Sequence, residues 1–542
     1  MREPLPFILL VQPPIRDFYL TAKRTVPYGL ACIAAALRKA GFAAGIFDAL
    51  ANGKSRVVPI PEEMRYLLPH FGRHDLSPFS LFHHYRHYGC DFEAIGRAAR
   101  ASNAFLVGVS SLFTAYGEEA LAAARAIKRF HPEAAVVLGG HHPTALPEAV
   151  MRCEAVDFVI RGEGEASLPL LAAALRFGKS LDGIPGLVPR GKAKIADSVL
   201  PAVMTDIDAY PPAAHDLIDL SYYRRGKKGS IVVTTSRGCP LKCSYCSVGG
   251  AFGNKYRRRS IGSVLEEIRS AASFQEVGFI DFEDENLSLD KSWFLDLLSG
   301  IRKLFGNAPP ELRAMNGLYP PSLDAETIRA MREAGFKTLN LSLISTSRKC
   351  LERFGRADVR EPLDHALDAA EALGMDAVTY LIAGAPFQEP EDALSDLLHL
   401  AYRNTLAGVS IFYPSPGSAD FALCKTHALL PEPFSLYRSS AAPISHATSR
   451  EESITLLRLG RVLNFMKALV RQEIPFSEAT PFGGINPGAA NDRQKAGRML
   501  LGFFLSDGRL RGITREGEIY EHPVSRDLCL KFLDRLKIDR IR

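Results

Sequence analysis

Short apolar runs alternate with amphipathic stretches along the first third of the chain. Phe7–Val11 is apolar at every position, the pattern of a strand buried on both faces. Leu30, Ile33, Ala34 and Leu37 recur at helical spacing and end at Gly41, which predicts a helix closed by a glycine cap. Ala44–Phe47 predicts a second strand ending at Asp48. Phe105–Ser110, Ala135–Leu138 and Val156–Ile160 predict three more, with Leu121, Ala124 and Ile127 on a helix between the first two. This alternation predicts an α/β, doubly wound parallel sheet over residues 1–185. Residues 54–100 interrupt it with histidines and aromatics and read as a lid or docking insertion. If that stretch is helical, His83 and His87 share a face near Cys90, which admits a metal site.

Residues 186–228 are rich in Gly and Pro and read as a linker. A second alternating region follows over 229–430. Its strands are Ile231–Thr234, Phe279–Phe282, Leu312–Met315, Thr338–Ser342, Ala377–Ile382 and Gly408–Phe412, separated by helical patterns such as Ile261–Ala272 and Pro362–Leu373. Six such units predict a partial (β/α)6 barrel. Residues 431–542 read as a small, mostly helical region with one clear amphipathic helix, Ile454–Leu469, placed to close the barrel mouth and shape a substrate site. Ligands of both architectures bind at the carboxyl ends of the strands. In the first region those ends carry Gln12-Pro13-Pro14, Asp48, Ser110-Ser111, Gly139-Gly140-His141-His142-Pro143-Thr144 and Arg161-Gly162-Glu163-Gly164-Glu165. Glycines there let a large flat ligand approach the backbone, and hydroxyls and amides suit its polar rim.

Composition narrows the class. At 542 residues, 47% hydrophobic and 23% charged, the chain is a multi-domain globular protein rather than a disordered or collagen-like one. A net charge of +6 spread over that length gives no reason to expect nucleic acid. No apolar run approaches a membrane span and no leader is visible, so a cytoplasmic setting is expected. In a reducing compartment, grouped cysteines are metal ligands or catalysts rather than disulfides.

Three of the nine cysteines are grouped, in Gly238-Cys239-Pro240-Leu241-Lys242-Cys243-Ser244-Tyr245-Cys246, just after the first barrel strand. Three thiolates at this spacing can hold an iron–sulfur cluster and leave one iron open to a substrate group. A structural zinc site would want a fourth ligand, and no Cys or His follows at short spacing. The other six cysteines are scattered.

With that triad, an aromatic before its last cysteine and the strand-end segments, the chain resembles the cobalamin-dependent branch of the radical S-adenosylmethionine (SAM) superfamily over about residues 5–425. The resemblance implies a Rossmann-like cobalamin-binding domain ahead of a TIM-like radical SAM core. It implies Cys239, Cys243 and Cys246 as ligands of a 4Fe–4S cluster, whose open iron chelates SAM, with Tyr245 against the adenine. Tyr256-Arg257-Arg258-Arg259-Ser260 looks like the post-cluster segment. Glu283, Asp284, Glu285 and Asn286 look like the acidic stretch near the SAM amino group. Asn316, Ser342 and Gly384 extend the SAM site, and Tyr413-Pro414-Ser415-Pro416-Gly417 closes the core. Ile344 stands where many relatives carry a glutamate. For cobalamin the resemblance implies Ser110, Ser111, Gly139, Gly140, His142, Thr144, Gly162, Glu163 and Gly164, with His142 touching the cofactor's rim or tail. Asp48-Ala49-Leu50-Ala51-Asn52-Gly53 keeps the ends of the family's Asp-x-His-x-x-Gly motif but has Leu50 for the histidine, so cobalamin is expected without that axial ligand.

The implied activity is methylation of an unactivated carbon of a small-molecule or lipid substrate, with a 5′-deoxyadenosyl radical abstracting hydrogen and methylcobalamin donating the methyl group. The partners implied are that substrate and an electron donor such as flavodoxin or ferredoxin. Alternatives are a cyclase or rearrangement enzyme that keeps both cofactors but transfers no methyl, and a cofactor-binding protein without turnover.

Overall fold

The computed structural model describes residues 5–19, 26–51, 54–71, 73–192, 198–249, 253, 255–476 and 490–542. Asn52 and Gly53, at the end of the Asp48 motif, lie outside the described residues.

The first region is a six-stranded sheet. Its strands are β1 (Phe7–Gln12), β2 (Ala43–Asp48), β3 (Leu106–Ser110), β4 (Ala135–Gly139), β5 (Phe158–Ile160) and β6 (Leu187–Pro189), in the spatial order β2-β1-β3-β4-β5-β6. The first five run parallel, and β6 is antiparallel to β5. The chain leaves β1 first to one side and then to the other, so the topological switch point lies between β1 and β3.

Strand alternation divides the core. Ile8 and Leu10 pack beneath α1 (Tyr28–Lys39), while Leu9 and Val11 face the opposite side with α2 (Phe92–Ser102) and α3 (Gly117–Phe130). Covering on both faces is why every position of Phe7–Val11 is apolar. The last helix of this region is α4 (Gly164–Phe177), packed beside α1.

Two expectations are corrected here. β6 and its pairing with β5 carry the sheet past residue 185 into the stretch read as linker. The interruption at 54–100 is two things: Phe92–Ser102 is a helix of the sheet, and what precedes it docks elsewhere. Met64, Leu67, Phe71 and Phe79, at most 1% exposed, join the core of the barrel and its C-terminal flank. Arg458, itself buried, donates to the carbonyls of Phe79 and His70 at 3.1 and 2.8 Å. His83 and His87 do not share a helical face, because Arg86–Tyr88 is a strand paired with Ile15–Asp17 and Ser55–Val57. His87 is buried with Nε2 3.0 Å from the Cys90 carbonyl.

The second region supplies β7 (Lys228–Val233), β8 (Val277–Phe282), β9 (Glu311–Arg313), β10 (Thr338–Ile344), β11 (Asp376–Ala383) and β12 (Leu406–Ile411). β7-β8-β9 and β10-β11-β12 are parallel ladders, joined by the parallel bridges Leu312↔Phe336 and Leu318↔Leu341. Helices alternate with these strands, among them Ile261–Phe274 and Arg360–Ala372. The result is an open barrel of six strands.

The C-terminal region departs from a simple mouth cover. Its first part borders the strand ends: Ser439 donates to the Ile411 carbonyl at 2.6 Å, Ile444 packs with Ile344, Ala385 and Phe412, and Ser453 stands against Gly384. The helix Arg450–Arg471 lies along β12 beside the helix Pro390–Ala401, in the place of an outer barrel helix. It opens with a reciprocal cap between Ser449 and Glu452. Among the described residues no helix is long and apolar enough to cross a membrane.

Candidate functional site

The strand ends of the sheet and of the barrel face each other across a cavity of about 300 Å³. Leu10, Gln12, Ser110, Gly139, Gly140 and Ile160 line it from the sheet, and Thr234, Ser236, Arg237 and Glu285 from the barrel. It therefore lies at the switch point, where ligands of doubly wound sheets bind.

The strand-end residues divide into those that face this cavity and those that hold its walls. Ser110, Gly139, Gly140, Gly162, Glu163 and Gly164 face it, and a Cβ added at Gly139 would meet nothing within 4 Å. Gly140 and Gly162 have φ of 120° and 84°, and a Cβ there would lie 2.5 Å from the Ser111 carbonyl oxygen or 2.2 Å from that of Ala202. Only glycine fits either place.

Ser111, His142 and Thr144 do not line the cavity. The Ser111 amide donates to the Gly139 carbonyl at 2.8 Å, and the Thr144 hydroxyl accepts the Gly162 amide at 2.8 Å, tying two strand-end loops together. His142 is 2% exposed, packed edge-on to Phe434 with ring centroids 5.5 Å apart, and burial lowers its pKa to about 4. Its neighbour His141 faces the cavity instead. Asp48 accepts from Tyr223 and from Gln12 Nε2, the latter at 3.2 Å; burial raises its carboxyl to about 6. Leu50 is buried, so no imidazole occupies that place.

Glu163 and Glu165 reach across to the barrel. Glu163 accepts from Arg257 at 2.8 Å and lies 3.5 Å from Arg237, while Glu165 accepts from Arg237 at 2.6 Å. All four side chains are at most one-fifth exposed. Arg237 stands two residues before Cys239, so this lock joins the sheet to the lead-in of the cysteine loop.

On the barrel side Cys239, Cys243 and Cys246 are free, partly exposed thiols on one short loop. Gly238 enters it at φ 80°, where a Cβ would lie 2.5 Å from the Lys255 carbonyl oxygen. The loop is pinned by the Ser244 amide on the Phe354 carbonyl at 3.0 Å and the Asp420 amide on the Ser244 carbonyl at 2.8 Å. Burial pushes the Cys246 thiol up to about 11, and the neighbouring Cys243 and Cys239 push it the same way. Burial also raises Cys239, with Cys243 and Glu285 adding to it and the Asn286 side chain opposing. Three thiolates here need a positive partner. Arg356 supplies part of it, with Nη1 3.7 Å from Cys243 Sγ, and an iron–sulfur cluster fits the rest.

The acidic stretch after β8 splits likewise. Asp284 accepts the Thr235 amide and both the Thr235 and Ser236 hydroxyls, at 2.5–3.1 Å, so it fastens the strand end before the cysteines rather than facing a ligand. The Glu283 amide continues the ladder to the Val233 carbonyl at 3.1 Å. Glu285 lines the cavity with Oε2 unpaired, and burial raises it to about 7. Asn286 is buried beside Cys239. Asn316 donates to the Asp284 carbonyl at 3.3 Å, and Ser342 donates to the Leu318 carbonyl at 3.2 Å while accepting from Arg356 at 3.4 Å. Gly384, at φ 76°, faces Ser453, whose oxygen a Cβ would approach to 2.5 Å.

Tyr245 packs edge-on to Phe354 at 5.5 Å, within an apolar group that includes Ile344 and Phe412. Ile344 follows a bulge in β10 and sits at φ 73°, a costly conformation for a β-branched residue. No carboxylate stands at that position.

The sequence reading missed Arg237 and Arg356, and of the two strand-end histidines it singled out His142 where His141 lines the cavity. Arg237 had a signal in its place between an acidic motif and the triad; Arg356, 113 residues from Cys243, had none.

Comparison with known proteins matches the two halves separately. The B12 binding domain matches residues 79–172, and the Radical SAM superfamily matches residues 233–400. An uncharacterized methyltransferase of Pyrococcus horikoshii is 28% identical over 306 residues, 56% of this chain and 65% of its own length. The match thus spans less than two thirds of that relative. The cytidylyl-2-hydroxyethylphosphonate methyltransferase of Streptomyces wedmorensis is 24% identical over 415 residues, 70% of this chain and 73% of its own. In three dimensions the chain is similar to the radical S-adenosylmethionine methyltransferase TsrM from Kitasatospora setae with cobalamin and 4Fe–4S cluster bound. The TM-score is 0.59 at 20% identity, with 79% of each chain covered.

Proposed function

For a chain that carries a B12-binding domain followed by a radical SAM domain, we propose the activity of a cobalamin-dependent radical SAM methyltransferase acting on an unactivated carbon of a small-molecule or lipid substrate. The observation that carries this reading is the shared cavity: one wall is the rim of the sheet, the other is the barrel rim beside the three cysteines. When bound, the cluster with SAM supplies a radical that takes a hydrogen atom, and cobalamin supplies the methyl group.

Cys239, Cys243 and Cys246 would ligate the cluster, with Arg356 countering charge at Cys243. Glu285 and Asn286 would meet the SAM amino group from beside Cys239. The apolar group of Tyr245, Ile344 and Phe412 would lie against the adenine and exclude water from it. Ser110 and Gly139 would border the corrin, where the open space over Gly139 admits a flat ligand. A one-electron donor of the flavodoxin or ferredoxin kind and a reducing, cytoplasmic setting complete the reading. The similarity to two proteins named as methyltransferases and to the structure of a third supports methyl transfer.

Anaerobic turnover of the reconstituted enzyme tests it. Methyl transfer by this route forms both S-adenosylhomocysteine and 5′-deoxyadenosine with the substrate present. 5′-Deoxyadenosine without S-adenosylhomocysteine would instead indicate a cyclase or rearrangement enzyme. Failure to cleave SAM under a strong reductant, by protein that binds it, would indicate a cofactor-binding protein without turnover.

A further inference from the structure

Away from the cavity, three histidines of the docked segment come together. In His74, His83 and His84, one ligand nitrogen from each ring lies within 4.8 Å of the others. The His74 and His83 rings are face to face with centroids 3.9 Å apart and 12° between planes; His84 leans on His83 at 4.4 Å and 58°.

Buried neighbours hold them there. Asp75, the residue after His74, accepts the Ser77 and Ile513 amides at 2.8 and 3.2 Å and lies 3.0 Å from His522 Nε2. Tyr85, the residue after His84, is 3% exposed and donates to the Arg16 carbonyl at 3.1 Å. The backbone on both sides of the group is therefore tied to packed structure, while His74 and His84 are exposed and His83 half-buried. Three imidazoles open to solvent suit a borderline divalent ion such as Zn²⁺; Mg²⁺ and Ca²⁺ ask for oxygen ligands.

The geometry points to a site for one divalent transition-metal ion of the zinc class, held by His74, His83 and His84 with water in the remaining position. Zinc–imidazole bonds of about 2.0–2.1 Å place tetrahedral nitrogens roughly 3.4 Å apart, so closure asks each ring for a shift of about an ångström and the stacked His74 and His83 rings for a tilt out of parallel, until their in-plane lone pairs converge. Side chains open to solvent on one side can make it. The ion would close the loop from His74 to His83 and His84 within a segment that Asp75 already ties to the C-terminal region. This assignment does not rest on the proposed activity.

The test titrates Zn²⁺ anaerobically into chelator-washed, cluster-reconstituted full-length protein, with iron content confirming that the triad cysteines are occupied. Equilibrium dialysis with elemental analysis is expected to give about one Zn²⁺ per chain, with binding at least about tenfold weaker in His83→Ala and His84→Ala and iron content unchanged. His427→Ala, an exposed histidine elsewhere, keeps full binding. Zinc raises the thermal midpoint of the wild type and leaves that of His83→Ala unmoved. Equal binding by wild type and both variants would mark the ion as adventitious and overturn the site. So would a folded, iron-loaded wild type that retains no zinc.

Discussion

The two rims that face each other across the cavity share a topology and little else. On the sheet side the wall is glycine, hydroxyl and apolar side chain, with Gly139 open and Leu10 and Ile160 behind it. The barrel side carries three thiols, the Arg356 guanidinium and buried carboxylates. A rim of the first kind holds a ligand by contact and backbone approach; a rim of the second kind concentrates charge and needs a counter-ion. Parallel strand ends fix where a ligand binds, and the residue types there decide which. The carboxylates on the sheet side, Glu163 and Glu165, are directed across the gap to Arg237 and Arg257, so charge on this rim serves the joint between the two regions.

Four tests sharpen that contrast. The largest effect belongs to the barrel rim: Cys243→Ala is expected to abolish SAM cleavage and cluster incorporation, measured by iron content and 5′-deoxyadenosine, while cobalamin binding, followed by its absorbance, persists. Next is the joint. Arg237→Ala leaves the buried Glu165 without its partner and Glu163 with Arg257 alone, and denaturant unfolding is expected to show a loss of about 3–5 kcal/mol; Glu165→Gln in the same background recovers part of it.

The third concerns the sheet rim and pH. Burial raises Asp48 to about 6 from an ordinary value of 3.8, so its contribution to stability is intact below the ordinary value and is lost as pH rises through 6. Asp48→Asn has no charge to bury, and the stability difference between the two proteins is expected to move by up to about 3 kcal/mol in favour of the variant from acid to neutral pH. Denaturant curves at several pH values check the sign.

The smallest effect separates two glycines of one rim. Gly162→Ala meets the Ala202 backbone at positive φ and is expected to lower stability by at least about 1–2 kcal/mol. Gly139→Val points into open space, so its thermal midpoint stays near that of the wild type while cobalamin affinity falls.

Much of this was legible because both sheets announce themselves. Runs buried on both faces are apolar throughout, as in Phe7–Val11, and the six barrel strands lie where their apolar runs stand. The cysteine spacing was equally plain. Which strand-end residue faces the ligand was not. Successive side chains of extended backbone point to opposite sides, so Ser110 lines the cavity and Ser111 does not; His141 and His142 open the short helix His141–Ala145, whose turn faces the first to the cavity and buries the second. A motif names the neighbourhood, and the phase of the chain as it leaves the strand selects the residue. Asp284 shows a second reason: a carboxylate in a ligand-binding run can be fully occupied by the hydroxyls that precede the cysteines. The docked segment was hidden for a third. Its aromatics bury against residues such as Arg458, 379 positions after Phe79, and no local pattern carries that information.

The Arg237 joint has a consequence for the order of assembly. Its partner Glu165 lies 72 residues earlier, in the part of the chain that leaves the ribosome first. A sheet that folds as a unit during synthesis presents both carboxylates before the cysteine loop has emerged. The loop then closes against a finished surface, and the N-terminal region acts as a template on which the cysteine-bearing turn takes its shape.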